Sequence, residues 1–151
     1  MVVDSMKIRP YKIADLDGLS ELYLKTRIAN WHWMDASKWT LRDFEEHTQN
    51  EFILVAVQGE RYMGFASIYM EENFLHHLFI ASEDQNKGIG LVLLKSVENL
   101  FTGTGYLKCL TENKSAFSFY LKNGWSIRSQ GQSDEGDYFL MSKEKSEIQA
   151  V

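Results

Sequence analysis

The run Gln85-Asn86-Lys87-Gly88-Ile89-Gly90 is the stretch of this chain best suited to holding an anion. It joins an apolar, strand-like segment to an amphipathic one with helical periodicity. The first turn of a helix carries free N–H groups and the positive end of the helix dipole, and together these bind phosphate. Glycines there let the backbone approach a ligand and adopt angles that other residues avoid. Two common phosphate motifs are excluded by spacing. A dinucleotide fingerprint needs a glycine where Leu93 stands, and a P-loop needs its lysine after the glycine, whereas Lys87 precedes Gly88. On spacing alone, a strand–loop–helix turn that binds nothing is the alternative.

Two further groups of residues have chemical potential. His76 and His77 are adjacent in a strand-like segment, so their side chains are expected on opposite faces. On that basis they cannot chelate one ion together, and no metal site is expected. An imidazole titrates near neutrality, so one facing a site can accept an amine proton, directly or through water; a structural histidine hydrogen-bonded within the sheet is the alternative. Trp31, His32, Trp33 and Trp39 concentrate aromatic rings in one connection. Such rings stack on aromatic or cationic amines, or simply cap a core.

The elements that must position these residues follow from periodicity. Met6 to Arg9 reads as a short strand before the only proline, Pro10. A helix opens at Asp15 and runs to about Asn30, with Leu16, Leu19, Leu22 and Tyr23 at helical spacing. A second helix fits Thr40 to Thr48, with Ser37 or Thr40 as N-cap. Phe52–Val57 and Arg61–Met70 form a hairpin around Gln58-Gly59-Glu60. Phe74 to Ile80 is apolar apart from its histidines and reads as a central strand. Gly88 to Phe101 is a helix with Ile89, Leu93, Leu94, Val97, Leu100 and Phe101 as its buried stripe. Tyr106–Thr111 is a strand, Asn113–Lys122 a helix ended by Asn123-Gly124. Ser126–Ser129 and Tyr138–Ser142 are late strands around a loop at Gly131–Gly136. The order β-α-α-β-β-β-α-β-α-β-β predicts an α/β fold with one mixed sheet and a right-handed parallel crossover.

Bulk properties narrow the field. At 151 residues the chain is one domain's worth, so residues 1–151 are expected to form a single domain with a frayed tail from about Lys143. A net charge of −5 argues against a nucleic-acid partner, which calls for a basic face. One cysteine, Cys109, precludes an internal disulfide and suits a reducing compartment. No apolar run approaches the ~20 residues of a membrane helix, and the start lacks the pattern of a signal peptide. A cytoplasmic protein without a membrane partner is expected.

Leu78-Phe79-Ile80, followed by Gln85-Asn86-Lys87-Gly88-Ile89-Gly90 and the pair Leu93-Leu94, resembles the acetyl-CoA signature of the GNAT superfamily of acetyltransferases. Downstream, Asn113, Ala116, Phe119-Tyr120 and Asn123-Gly124-Trp125 are also similar to that family. The resemblance spans nearly the whole chain and implies the GNAT N-acyltransferase fold. It further implies that acetyl-CoA is the co-substrate, without a metal. The backbone of Leu78, Phe79 and Ile80 would pair with the pantetheine arm. The amides from Gln85 through Asn86, Lys87, Gly88, Ile89 and Gly90 would hold the pyrophosphate, with Lys87 as a nearby cation. Asn113 would contact pantetheine beside Ala116 and Phe119, and Tyr120 would be the general acid for the departing thiolate. Gln85 stands where the family more often has arginine.

The same resemblance assigns the acceptor side to Trp31 and Trp33, with Phe74 and Glu71 beside them. His76 matches the position of the histidine in arylalkylamine acetyltransferases and is the candidate base; Glu71 and Glu72 are its rivals. The implied reaction moves an acetyl group to a primary amine of a small molecule or a protein, by direct transfer. A non-catalytic acyl-CoA-binding or sensing module on the same scaffold is the alternative. Homodimerisation is compatible with the family.

Overall fold

A computed structural model describes residues 5–145 of the chain. Its strands are β1 (Met6–Pro10), β2 (Phe52–Gln58), β3 (Arg61–Tyr69), β4 (Phe74–Ile80), β5 (Gly105–Leu110), β6 (Ser126–Ser133) and β7 (Gly136–Lys143). The helices are α1 (Leu16–Asn30), α2 (Asp43–His47), α3 (Ile89–Leu100) and α4 (Lys114–Lys122). All strands belong to one seven-stranded sheet in the order β1-β2-β3-β4-β5-β7-β6. Only β4 and β5 run parallel, with α3 as their crossover; the other neighbours are antiparallel.

Strands β2 and β3 are buried on both faces, and the period of two in β2 shows why. Ile53, Val55 and Val57 pack with Leu19, Leu22, Tyr23 and Phe44, which α1 and α2 supply. Leu54 and Ala56 face the other way, toward Leu93, Leu94 and Val97 of α3. Alternating apolar positions thus feed two cores, one on each side. In α3 the residues Ile89, Leu93, Leu94 and Val97 are buried at helical spacing, as periodicity predicts.

Three elements differ from the sequence reading. The second helix is a single turn beginning at Asp43 rather than Thr40. The Asp43 carboxylate accepts from Thr40 N and from Arg27 Nη2, both at 3.0 Å, and this holds residues 40–42 in a turn. The late strands form one hairpin with a two-residue connection, Asp134-Glu135, where the polar sequence suggested a loop. β6 is an edge strand with solvent on most of its side chains, so it carries no hydrophobic alternation to read. At Gly131 within it, a Cβ would lie 2.4 Å from the Tyr138 hydroxyl, so a larger residue there would have to displace the end of that side chain. Finally, Lys143 and Lys145 are tied down. Lys143 Nζ donates to Glu98 Oε1 (3.0 Å) and Asn123 O (2.9 Å), and Lys145 Nζ to Phe101 O. The remainder of the expected frayed tail, 146–151, lies outside the described residues.

Candidate active site

β4 and β5 pair only at Phe74↔Tyr106 and Leu75↔Leu107, then diverge. From His77 to Ile80, β4 keeps its partner β3 on one side, and from His76 to Ile80 it has an unpaired edge on the other. Backbone donors and acceptors on such an edge are a template for an added strand. The splay opens a cavity of 960 Å³ lined by β4, the loop after it, the end of β5, α4 and the tip of the β6–β7 hairpin. That size suits a large cofactor-like ligand.

The loop at the far end of β4 is held from below. Asp84 is fully buried, and its carboxylate meets Arg61 Nη1 at 2.6 Å and Lys87 Nζ at 3.4 Å. Gln85 Nε2 donates to Ile80 O at 3.1 Å, closing the loop onto the strand. Asn86 (φ +63°) and Gly88 (φ +85°) are left-handed, and Gly88 is the N-cap of α3. Alternating backbone handedness at a helix start turns consecutive N–H groups to one side and makes an anion nest. Gln85, Asn86, Gly88 and Gly90 line the cavity together with Leu78, Phe79 and Ile80. Two of the expected residues present no side chain to the cavity, though their backbone amides stay at the start of α3. Ile89 is buried in the core beneath α3, and Lys87 is spent on Asp84 and does not line the cavity. Asp84 is the residue the sequence reading missed; a carboxylate in a polar loop carries no sign that it will be buried.

On the opposite wall, α4 presents Ala116, Phe119 and Tyr120. Asn113 also lines the cavity, but its side-chain oxygen caps α4 by accepting from Ala116 N at 3.3 Å. Tyr120 is 8% exposed. Burial, with a smaller contribution from Cys109, raises its phenol well above the ordinary range, so it carries its proton throughout the physiological span. Among the described residues none hydrogen-bonds to this hydroxyl, which leaves the proton available to a ligand. Burial likewise pushes the Cys109 thiol up to about 11, so it is no nucleophile at neutral pH.

The other end of the cavity departs most from expectation. His76 and His77 do not face opposite sides: their ring centroids are 3.8 Å apart. The cause is a bulge in β4, where Ser67 pairs with His77 and Ile68 with Leu75, leaving His76 as the extra residue. His76 Nδ1 lies 2.5 Å from Glu51 Oε2, and His77 Nδ1 lies 3.9 Å from Glu51 Oε1. The ligand atoms of these three residues fall within 4.8 Å of one another, so the premise that the histidines cannot share an ion is overturned. His77 also contacts Ser67 Oγ through Nδ1 (2.8 Å) and Tyr23 OH through Nε2 (3.4 Å), and Tyr23 OH reaches His47 Nδ1 at 2.8 Å. Burial foremost, then the neighbouring His76, His47 and Arg27, holds His77 well below its usual range and therefore neutral. Glu51 was invisible in the sequence because it is 25 residues from His76 and meets it only through the sheet.

Trp31 and Phe74 line this end, as does Glu135 from the hairpin tip. Trp33 stacks behind Trp31, with centroids 5.8 Å apart, and lies outside the lining. Glu71 is exposed in the turn after β3, where it accepts from Tyr69 OH at 3.4 Å; neither it nor Glu72 reaches the cavity. Among the described residues no helix is long and apolar enough to cross a membrane.

Comparisons with known proteins agree with this geometry. Residues 23–145 match the model of the acetyltransferase (GNAT) domain family. The chain is 27% identical to spermidine N(1)-acetyltransferase of Thermoplasma acidophilum, over 92% of this chain and 97% of that one. It superposes on the PaiA N-acetyltransferase of the same organism in complex with coenzyme A, with a TM-score of 0.72 at 25% identity, covering 93% of this chain and 99% of that one. The fold also matches spermidine N-acetyltransferase of Vibrio cholerae, solved with CoA and spermine, with a TM-score of 0.72 at 19% identity over 95% and 98% of the two chains. The chain belongs to the GNAT acetyltransferase family and is an N-acetyltransferase that uses acetyl-CoA.

Proposed function

We propose that this enzyme acetylates a primary amine of a small, cationic, polyamine-like molecule. The observation that carries the reading is the unpaired β4 edge from His76 to Ile80, which runs between the left-handed loop at 85–90 and the acidic, aromatic end of the cavity. Backbone groups of Leu78 to Ile80 bind the pantetheine arm as an added strand, and the amides of residues 85–90 bind its diphosphate. Trp31 stacks against the acceptor, and the Glu135 carboxylate attracts its remote ammonium group. The character of the relatives, one a curated spermidine acetyltransferase and another solved with spermine, supports the same acceptor class.

The chemistry is direct transfer. Glu51 accepts a hydrogen bond from His76 Nδ1–H, which leaves the lone pair on Nε2. His76 takes a proton from the acceptor ammonium, and the freed amine lone pair attacks the thioester carbon. The tetrahedral intermediate collapses with cleavage of the C–S bond, and the electron pair leaves on sulfur. Tyr120 gives its proton to that thiolate, and the second proton on the attacking nitrogen is lost through solvent, which restores the phenol; the products are free coenzyme A and the neutral N-acetylated amine.

A thiol-release assay with acetyl-CoA and a panel of polyamines, monoamines and peptides tests this reading. Turnover concentrated among di- and polyamines is expected. Tight acetyl-CoA binding without turnover on any amine would instead favour a non-catalytic acyl-CoA-binding module.

A further inference from the structure

The bulge in β4 gives the acceptor end a second capacity. We propose that Glu51, His76 and His77 bind one divalent transition ion of the zinc type, which occupies this end of the cavity and reversibly blocks transfer. The ion is a competitor of catalysis, not a cofactor. One carboxylate oxygen and two imidazole nitrogens are a common ligand set for zinc, leaving an open position for water.

Four observations carry the proposal. The three ligand atoms lie within 4.8 Å of one another. Ligands around one zinc sit at about 2.0–2.2 Å from the metal, so sub-ångström to ångström shifts close the shell. Glu51 Oε1 is buried without any hydrogen-bond partner, on a side chain only 9% exposed. An unpaired carboxylate oxygen at that depth is costly, and a cation satisfies it. His77 already has an outer partner, since its Nε2 lies 3.4 Å from Tyr23 OH, which is in turn 2.8 Å from His47 Nδ1. Metal-bound histidines are oriented by such a contact on the other ring nitrogen. His76 is 42% exposed and lines the cavity, which provides an entry path.

On binding, the ion takes Glu51 through Oε1, the proton on His76 Nδ1 leaves to solvent, and the Ser67 hydroxyl turns away from His77 Nδ1. The inhibitory consequence rests on the role of His76 proposed above; the binding does not. Imidazole and carboxylate also suit Cu2+ and Ni2+.

Calorimetric titration of the chelator-treated full chain, free of any affinity tag, with ZnCl2 tests the site, and Co2+ absorption reports its geometry. One equivalent is expected, with at least tenfold weaker binding in His76→Ala and Glu51→Gln and no change in the exposed-site control His32→Ala. No binding, or equal binding in both variants, would overturn the proposal. Acetyl transfer is then measured with and without chelator. Loss of activity on adding one equivalent of zinc, restored by chelator, supports the inhibitory role; equal activity in both states overturns it. Chelated enzyme that binds zinc yet acetylates no amine would instead count against the functional reading alone.

Discussion

Glu51 Oε2 lies 2.5 Å from His76 Nδ1, joining the turn before β2 to the bulge of β4 at the acceptor end of the cavity. The carboxylate is nearly buried while the imidazole is half exposed, so one partner is fixed and the other is presented to ligand. Fixing the tautomer in this way is how a carboxylate supports a histidine base. Glu51→Gln should therefore lower kcat on the order of tenfold or more, with little change in acetyl-CoA binding. His76→Ala should fall further. Steady-state kinetics in chelator checks both, and an unchanged kcat in either variant would remove that residue from proton transfer.

Tyr120→Phe removes only the hydroxyl from a ring packed near Phe119 and Trp125. Stability should stay within about 1 kcal/mol. Turnover should drop by roughly a hundredfold, the usual worth of a positioned acid. Acetyl-CoA affinity, measured by calorimetry, should hold. Loss of affinity in parallel with turnover would mean the phenol serves binding.

Gly88 is held at φ +85°, with open space where a Cβ would stand. Gly88→Ala therefore meets backbone strain rather than a clash, at a cost of about 1–2 kcal/mol. The distortion falls on the N–H groups at the start of α3, so the KM for acetyl-CoA should rise several-fold while kcat changes little. Thermal melts and kinetics read the two effects separately.

Asp15 is buried against Arg9, Lys12 N and Tyr62 OH. The hydrogen bonds from Arg9 come first among the causes that hold its carboxyl far below the ordinary carboxylate range. A group depressed in the folded state stabilises fully above its unfolded value, ~3.9, and loses that contribution as pH falls through the folded one. Asp15→Asn should cost about 1–3 kcal/mol at pH 7. In denaturant melts the gap to the parent protein should be constant from pH 7 to 5 and shrink below pH 4. A gap that grows on acidification would refute the assignment.

The sequence disclosed what depends on local periodicity. Leu93, Leu94 and Val97 mark α3, and the continuous apolar, β-branched run at Phe52–Val57 marks β2 as a strand. The left-handed loop was legible too, because Gly88 follows an apolar strand and precedes an apolar helical stripe. What stayed hidden depends on pairing between distant segments. The bulge at His76 arises from the register of β4 on β3, which no single strand reveals, and it reversed the expected separation of the two imidazoles. Glu51 and Asp84 carry no local sign of burial, which follows from partners brought by the sheet and by Arg61. Glu71, a rival base to His76 and a candidate acceptor residue, is exposed in the turn at Met70–Glu72.

The most direct test is a crystal structure of the enzyme with coenzyme A. The pantetheine arm should run along the β4 edge from Leu78 to Ile80, with its diphosphate on the amides of residues 85–90 and its sulfur beside the Tyr120 hydroxyl. A cofactor bound elsewhere, with β4 and β5 closed on each other between His76 and Ile80, would contradict the proposed site.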